Sequence, residues 1–314
     1  MWPIDMKTRF SKTSLWHLPL IGMGLTCLLP LLFMIVTALA PPEQAMKTST
    51  AISEMIIPRH YRWENFVEVW TIVPFLRYYI NSVFVALVIT SGKVFTSAMA
   101  AYAFSRLQWK GRDVLFLLYL ATMMIPGSVT MIPNFIIMKL LPELLSSGLP
   151  FIDWMGLRFL GNGPNAPGVG RFLGLDSYFA LIAPGMFSAY GTFLLRQFFM
   201  SLPKDLDEAA TIDGCNHWGI FTRVILPLSL PGITTLSIVT FIGAWGSFLW
   251  PLVVTHQEYM RTLPVGLQSF QGQYGTEWHL MMAASLLMLL PVMVIFLFGQ
   301  RFFVSGITSG AVKG

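Results

Sequence analysis

The sequence predicts an all-α integral membrane protein with six transmembrane helices, and three observations carry that prediction. Only 11% of the 314 residues are charged and 55% are hydrophobic, against about 25% charged in an ordinary soluble domain. Six apolar runs each approach the length of about 20 residues that a helix needs to cross a hydrocarbon core. The polar segments between them are few, and one has the chemistry of a helix–turn–helix. So little charge cannot cover a soluble fold, and a mean hydropathy of +0.65 excludes a disordered chain, which needs low hydrophobicity.

The first run, 18–40, follows Lys7, Arg9 and Lys12. Ala38-Leu39-Ala40 resembles a signal-peptidase site, but the run exceeds the roughly 7–15 residues of a signal core, so a retained helix is expected. The second run, 83–103, is interrupted only by Lys93. The third, 114–137, contains Pro126, Gly127 and Pro133, and its last part is expected to form a separate short helix. The remaining runs are 178–199, 232–255 and 278–298.

Six spans put both ends on one side. Lys and Arg cluster in the short terminal and connecting segments of that side, whereas the opposite loops are longer and mix them with acids. By the positive-inside bias both termini are expected in the cytoplasm. The segment 141–171 on the opposite side includes Gly161-Asn162-Gly163-Pro164 and further turn residues, with no periodic pattern. It is expected to be an external loop.

Other function classes find no support. The net charge of +5 comes from 20 Lys+Arg against 15 Asp+Glu, scattered without the dense stripe that tracks phosphates, so no nucleic-acid partner is expected. Cys27 and Cys215 are far apart and the histidines are dispersed, which gives neither a disulfide framework nor a metal cluster. The chain has no GxxxxGK[ST] phosphate loop, hence no nucleotide site of its own. With no nucleophile–base pair or paired carboxylates in a polar pocket, it reads as neither an enzyme nor the holder of a cofactor.

The polar segment 201–230 looks built for contact. Pro203 suits a helix start, and Asp205, Asp207 and Glu208 favour the first turn through the helix dipole. Leu206, Ala209, Ala210 and Asp213 share one face, and Gly214 is a good left-handed stop. Asn216 can cap a second short helix carrying Trp218, Phe221 and Val224, ending before Pro227. The prediction is a helix–turn–helix that exposes two alanines and a glycine where another surface approaches closely.

Glu208-Ala209-Ala210, Gly214 four positions after Ala210, and Leu226-Pro227 resemble the EAA signature of permease subunits of ATP-binding-cassette importers. Val224 stands where that pattern usually has Ile. A narrower resemblance, to the maltose-transporter type of sugar permease, runs through Trp63-Glu-Asn-Phe66, Asn81-Ser82, Ala100-Ala-Tyr-Ala-Phe-Ser-Arg106, Phe193-Leu-Leu-Arg-Gln-Phe-Phe199 and the tail from Gln300. It covers nearly the whole chain. It departs at 141–171, which looks like an insertion, and at Ala244-Trp245-Gly246-Ser247-Phe248, where the family often has Trp-Asn followed by an acid.

The resemblance implies a type I importer permease fold in a bacterial or archaeal inner membrane. It implies a second homologous permease, two ATPase subunits that bind ATP and Mg, and an extracytoplasmic solute-binding protein as partners. The helix around 208–214, Asp213 included, would be the coupling helix: Glu208 would hold it by a charge interaction or cap, Ala209, Ala210 and Gly214 would permit close approach, and Leu226 and Pro227 would fix the hinge into the fifth span. The cargo it implies is a sugar or oligosaccharide; a sugar phosphate, which would welcome Lys93, or another polar solute is the alternative.

Sugars are held by aromatic faces and a few hydrogen-bonding groups, so Phe241, Trp245, Ser247 and Phe248 in the fifth run and Tyr190 in the fourth are candidates for the substrate path. Trp245 leads, because Gly243 and Gly246 flank it. Lys93 is the charge near a span's centre; an intramembrane charge costs about 2.5–3.5 kcal/mol by insertion scales, so it faces a cavity or a partner, or bonds carbonyls within the bundle. An ion-coupled secondary transporter would need acids at mid-membrane, and the runs lack Asp and Glu.

Overall fold

A computed structural model describes residues 6–45, 58, 60–146, 173–272 and 275–311. The loop 141–171 lies outside the described residues from position 147 onward, as do the side chains of the tail from Gln300.

Helix α1, Met6–Leu39, takes up the first run and carries Pro19 and Pro30 within it. After the short α2, Glu64–Ile72, comes α3, Phe75–Ser105, which begins before the second apolar run does. Its polar opening turns are accommodated because Asn81, fully buried, donates to Tyr259 O and Arg261 O at 2.9 Å each. The sixth run opens α13, Trp278–Ala311, which continues past 298.

The other three runs are broken. Arg112–Ala121 (α4) and Gly127–Ser146 (α5) belong to a pair bent by 97°, and the break falls at Pro126, which has no N–H to donate. Tyr178–Ile182 (α6) and Ala189–Ser201 (α7) are separated by a turn holding Pro184, in a pair bent by 43°. The fifth run is not one helix: Leu230–Trp245 (α11) stops at Gly246, and a short α12, Leu249–Val254, resumes after the break. Among the described residues, 3 helices are long and apolar enough to cross a membrane, or up to 6 if each bent pair counts as one span. Between α7 and α11 lie α8, Asp205–Ile212, α9, His217–Ile220, and α10, Leu226–Leu228. A two-residue antiparallel ladder pairs Gln271 with Thr276.

The chain forms two compact units, Met1–Phe75 with Leu267–Leu290, and Leu76–Gly266 with Pro291–Gly314. In the first, the end of α1 packs on α2. Ala38, Leu39 and Ala40 are buried, and Asn65 Nδ2 donates to Ala38 O at 2.8 Å and Ala40 O at 3.0 Å.

In the second unit, Ala98, Ala101 and Tyr102 of α3 pack against Leu195 and Phe199 of α7, Ile220, Phe221 and Ile225. Small residues allow close helix crossings, as is usual in membrane bundles: a Cβ on Gly191 would lie 2.5 Å from Ser97 Oγ, and one on Gly232 2.6 Å from the Phe198 ring. Many large apolar side chains, among them Leu20, Met23, Leu117 and Ile132, remain exposed. In water that would be costly; in lipid it is the expected outer face.

Candidate functional site

The segment 201–230 forms the expected first helix and turn. Gly214 sits at φ +80, the left-handed conformation that glycine adopts without a Cβ penalty, and Cys215 N then reaches back to Ala210 O at 2.9 Å. Asn216 caps α9, its Oδ1 accepting from Gly219 N at 2.8 Å. The second helix does not end before Pro227. It widens into a π-turn over Phe221–Ile225 and continues through Pro227 to Leu228. The wider turn relieves the conflict between the proline ring and the carbonyl four residues earlier. Leu226 is half-buried and Pro227 exposed, just ahead of the 77° bend into α11.

α8 is fastened to the rest of the unit by a residue outside the segment. Arg106, at the end of α3, is 4% exposed in its side chain, and its Nη1 lies 2.9 Å from Asp207 Oδ2. Its Nη2 donates to Leu202 O at 2.9 Å and also to Phe199 O. One guanidinium therefore joins the end of α3, the end of α7 and the start of α8. Glu208, expected to hold the helix by a charge interaction or cap, is instead exposed, and its carboxylate makes no hydrogen bond or ion pair among the described residues; its neighbour Asp207 does the holding.

The expectation of two exposed alanines needs correction. Ala209, Asp213 and Gly214 are exposed, but Ala210 is 8% exposed and belongs to the core with Tyr102 and Phe199. Its small side chain brings the α8 backbone close to this chain's own helices. The outward face instead carries Ile212, which is 85% exposed, and Trp218 follows on α9, also exposed. Ile212 lies off the stripe of Leu206, Ala209, Ala210 and Asp213. The signal that could have found it was an apolar residue left over on a polar helix.

Farther along the same unit, a cavity of about 660 Å³ lies among α3, α5, α7 and the α11–α12 break. Lys93, Tyr190, Ser247 and Phe248 line it, joined by Ser128 and Asn134, which the sequence reading did not single out. Phe241 and Trp245 are not brought to it. They stack on each other at 5.8 Å with an interplanar angle of 13°, and Trp245, 2% exposed, also meets Tyr79 edge-on at 5.6 Å. Trp245 anchors the end of α11 in the core, and the polar break beyond it presents Ser247 and Phe248. The Lys93 amine has no acceptor among the described residues, and no group of metal-ligating side chains occurs among them either.

The chain is similar to known proteins along nearly its whole length. The pattern of the family described as "Binding-protein-dependent transport system inner membrane component" matches residues 93–309. The arabinooligosaccharides transport system permease protein AraQ of Halalkalibacterium halodurans is 31% identical over 98% of this chain and 100% of that protein. The sn-glycerol-3-phosphate transport system permease protein UgpE of Yersinia pestis bv. Antiqua is 33% identical over 93% of this chain and 94% of its own. Among solved structures, a bacterial ABC transporter involved in the import of the acidic polysaccharide alginate shares the fold, with a TM-score of 0.72 at 19% identity over 96% of this chain and 100% of that one.

Proposed function

Because the chain belongs to the binding-protein-dependent transport system inner membrane components, a family of transport subunits rather than enzymes, we propose that it is the permease of an ATP-driven importer that moves a sugar or oligosaccharide into the cytoplasm by alternating access. The similarity to permeases named for arabinooligosaccharides supports the carbohydrate. The observation that carries the mechanism is the α8 surface. Glu208, Ala209, Ile212 and Gly214 are exposed there, while Arg106 ties the same helix to α3 and α7.

The chain holds no phosphate loop, so work must enter through contact. In this reading α8 docks on one of two ATPase subunits, which bind ATP and Mg, and closure of the ATPase pair moves α8 as a rigid body. Leu226 and Pro227 carry that motion toward α11. A second, homologous permease completes the pathway, and an extracytoplasmic binding protein delivers the solute. Both termini face the cytoplasm, and the complex sits in a bacterial or archaeal inner membrane.

A phosphorylated polyol or sugar is the second reading, favoured by Lys93 in the cavity wall and by the similarity to permeases named for sn-glycerol 3-phosphate. The test is mild detergent extraction of the tagged chain from its native membrane, with mass spectrometry of what stays bound and solute uptake by vesicles with and without ATP. Recovery of an ATPase and a second permease, with ATP-dependent uptake, is the expected result. A chain recovered alone that transports without ATP overturns the proposal.

A further inference from the structure

The wall of the cavity among α3, α5, α7 and α11 has a one-sided charge. Its lining contains Lys93 and no Asp or Glu. The Lys93 amine, half-buried, has no acceptor among the described residues. A cation in so poor a dielectric is unfavourable unless something pairs with it.

Two interrupted helices add to the same sign. α5 begins at Gly127 and α7 at Ala189, and the cavity is lined by Gly127 and Ser128 at one start and by Ser188 and Tyr190 at the other. The first N–H groups of a helix lack internal acceptors and carry partial positive charge, which is how half-helices near mid-membrane meet anions; at α7 one of them, Gly191 N, already donates to Ser188 Oγ at 3.0 Å. The opposing carbonyl ends are partly occupied. Met186 O accepts from Thr96 Oγ1 at 2.7 Å, Ile242 O from Gly246 N at 3.1 Å, and Ala244 O from Ser247 N at 3.3 Å. The free polar groups that remain, on Ser128, Asn134 and Ser247, suit hydroxyls.

We infer that the transported solute is an anionic carbohydrate or polyol, bearing a carboxylate or a phosphate, and that Lys93 selects its charge. The inference rests on the importer reading above. A neutral sugar would satisfy the hydroxyl-binding groups but leave the ammonium unpaired; an anion satisfies both.

The test uses the complete importer with its own binding protein, purified from the native membrane into liposomes. ATP-dependent uptake of digalacturonate, glycerol 3-phosphate and neutral arabinobiose is followed for the natural protein, Lys93→Gln and Lys93→Arg. Uptake of one of the anions is expected in preference to arabinobiose, and which anion is taken up tells carboxylate from phosphate. Lys93→Gln raises its half-maximal concentration by about tenfold or more, the scale of an unpaired buried charge, and Lys93→Arg largely preserves it. Uptake of arabinobiose with neither anion carried overturns the inference and leaves the importer reading standing. So does an equal loss for every solute in Lys93→Gln, which would make the lysine structural. Uptake indifferent to ATP overturns the importer reading itself.

Discussion

Arg106 and Asp207 stand 101 positions apart in the chain and meet at 2.9 Å, with the arginine almost wholly enclosed. The pair is the joint through which α8 is held to α3, and the same guanidinium also closes the carbonyl end of α7. A push on α8 from outside would therefore reach both α3 and α7. A helix attached only by its flanking loops would absorb that push as local motion.

Removing one partner of such a pair leaves the other charge buried. Arg106→Ala is expected to destabilise the protein by about 3–5 kcal/mol, read as a lower melting temperature in detergent and faster proteolysis within 201–230. Asp207→Asn, which keeps shape and one acceptor, costs less. The charge swap Arg106→Asp with Asp207→Arg recovers part of the loss only if the two contact each other in the membrane; no recovery would place Arg106's importance in the carbonyls of Phe199 and Leu202.

Ala209 and Ala210 are adjacent, yet the first is exposed and the second buried, which separates docking from folding. Ala210→Leu overpacks the core beside Tyr102 and Phe199 and is expected to cost about 1–3 kcal/mol, visible as reduced yield and melting temperature. Ala209→Leu leaves both unchanged and abolishes the stimulation of ATPase activity by loaded binding protein. Equal stability losses in the two variants would contradict the burial described above.

Gly214 offers a cleaner separation, since nothing lies within 4 Å of where its Cβ would be. Gly214→Ala should cost about 1–2 kcal/mol from the left-handed backbone alone, and Gly214→Asn less. Gly214→Glu meets no obstacle within the described residues, so a transport defect well beyond that of Gly214→Asn, at equal membrane abundance, must arise from a surface outside this chain. Normal uptake by Gly214→Glu removes the docking assignment.

At the other end of α3, Asn81 donates to Tyr259 O and Arg261 O and accepts from Tyr178 Oη at 2.6 Å. Asn81→Ala removes that partner from all three, and although Tyr259 O keeps Arg77 Nε as a donor at 3.3 Å, a cost of about 1–3 kcal/mol is expected for each group left buried and unsatisfied. Asn81→Asp keeps the acceptor and loses the donor, so it too lowers the melting temperature. A melting temperature unchanged in both variants would mean that these carbonyls are satisfied without Asn81, as Tyr259 O already is in part by Arg77.

Much of this protein was legible from the amino-acid sequence because the determining physics is local. Apolar run length depends on consecutive residues, so the candidate spans could be counted. The turn at Gly214 and the cap at Asn216 depend on φ preference and on a side chain reaching three residues ahead, so the shape of the contact segment was readable as well. Pro126 announced a helix break by the same local rule, whereas the π-turn before Pro227 reflects a compromise with packing that no local rule contains. What only the tertiary structure decided is which neighbours meet. It turned Ala210 inward and left Ile212 outside, drew Trp245 into the core, joined Arg106 to Asp207, and gathered Lys93 with two helix starts around one cavity. Those outcomes depend on how helices distant in sequence cross at close range, where a difference of one residue in facing exchanges a buried side chain for an exposed one.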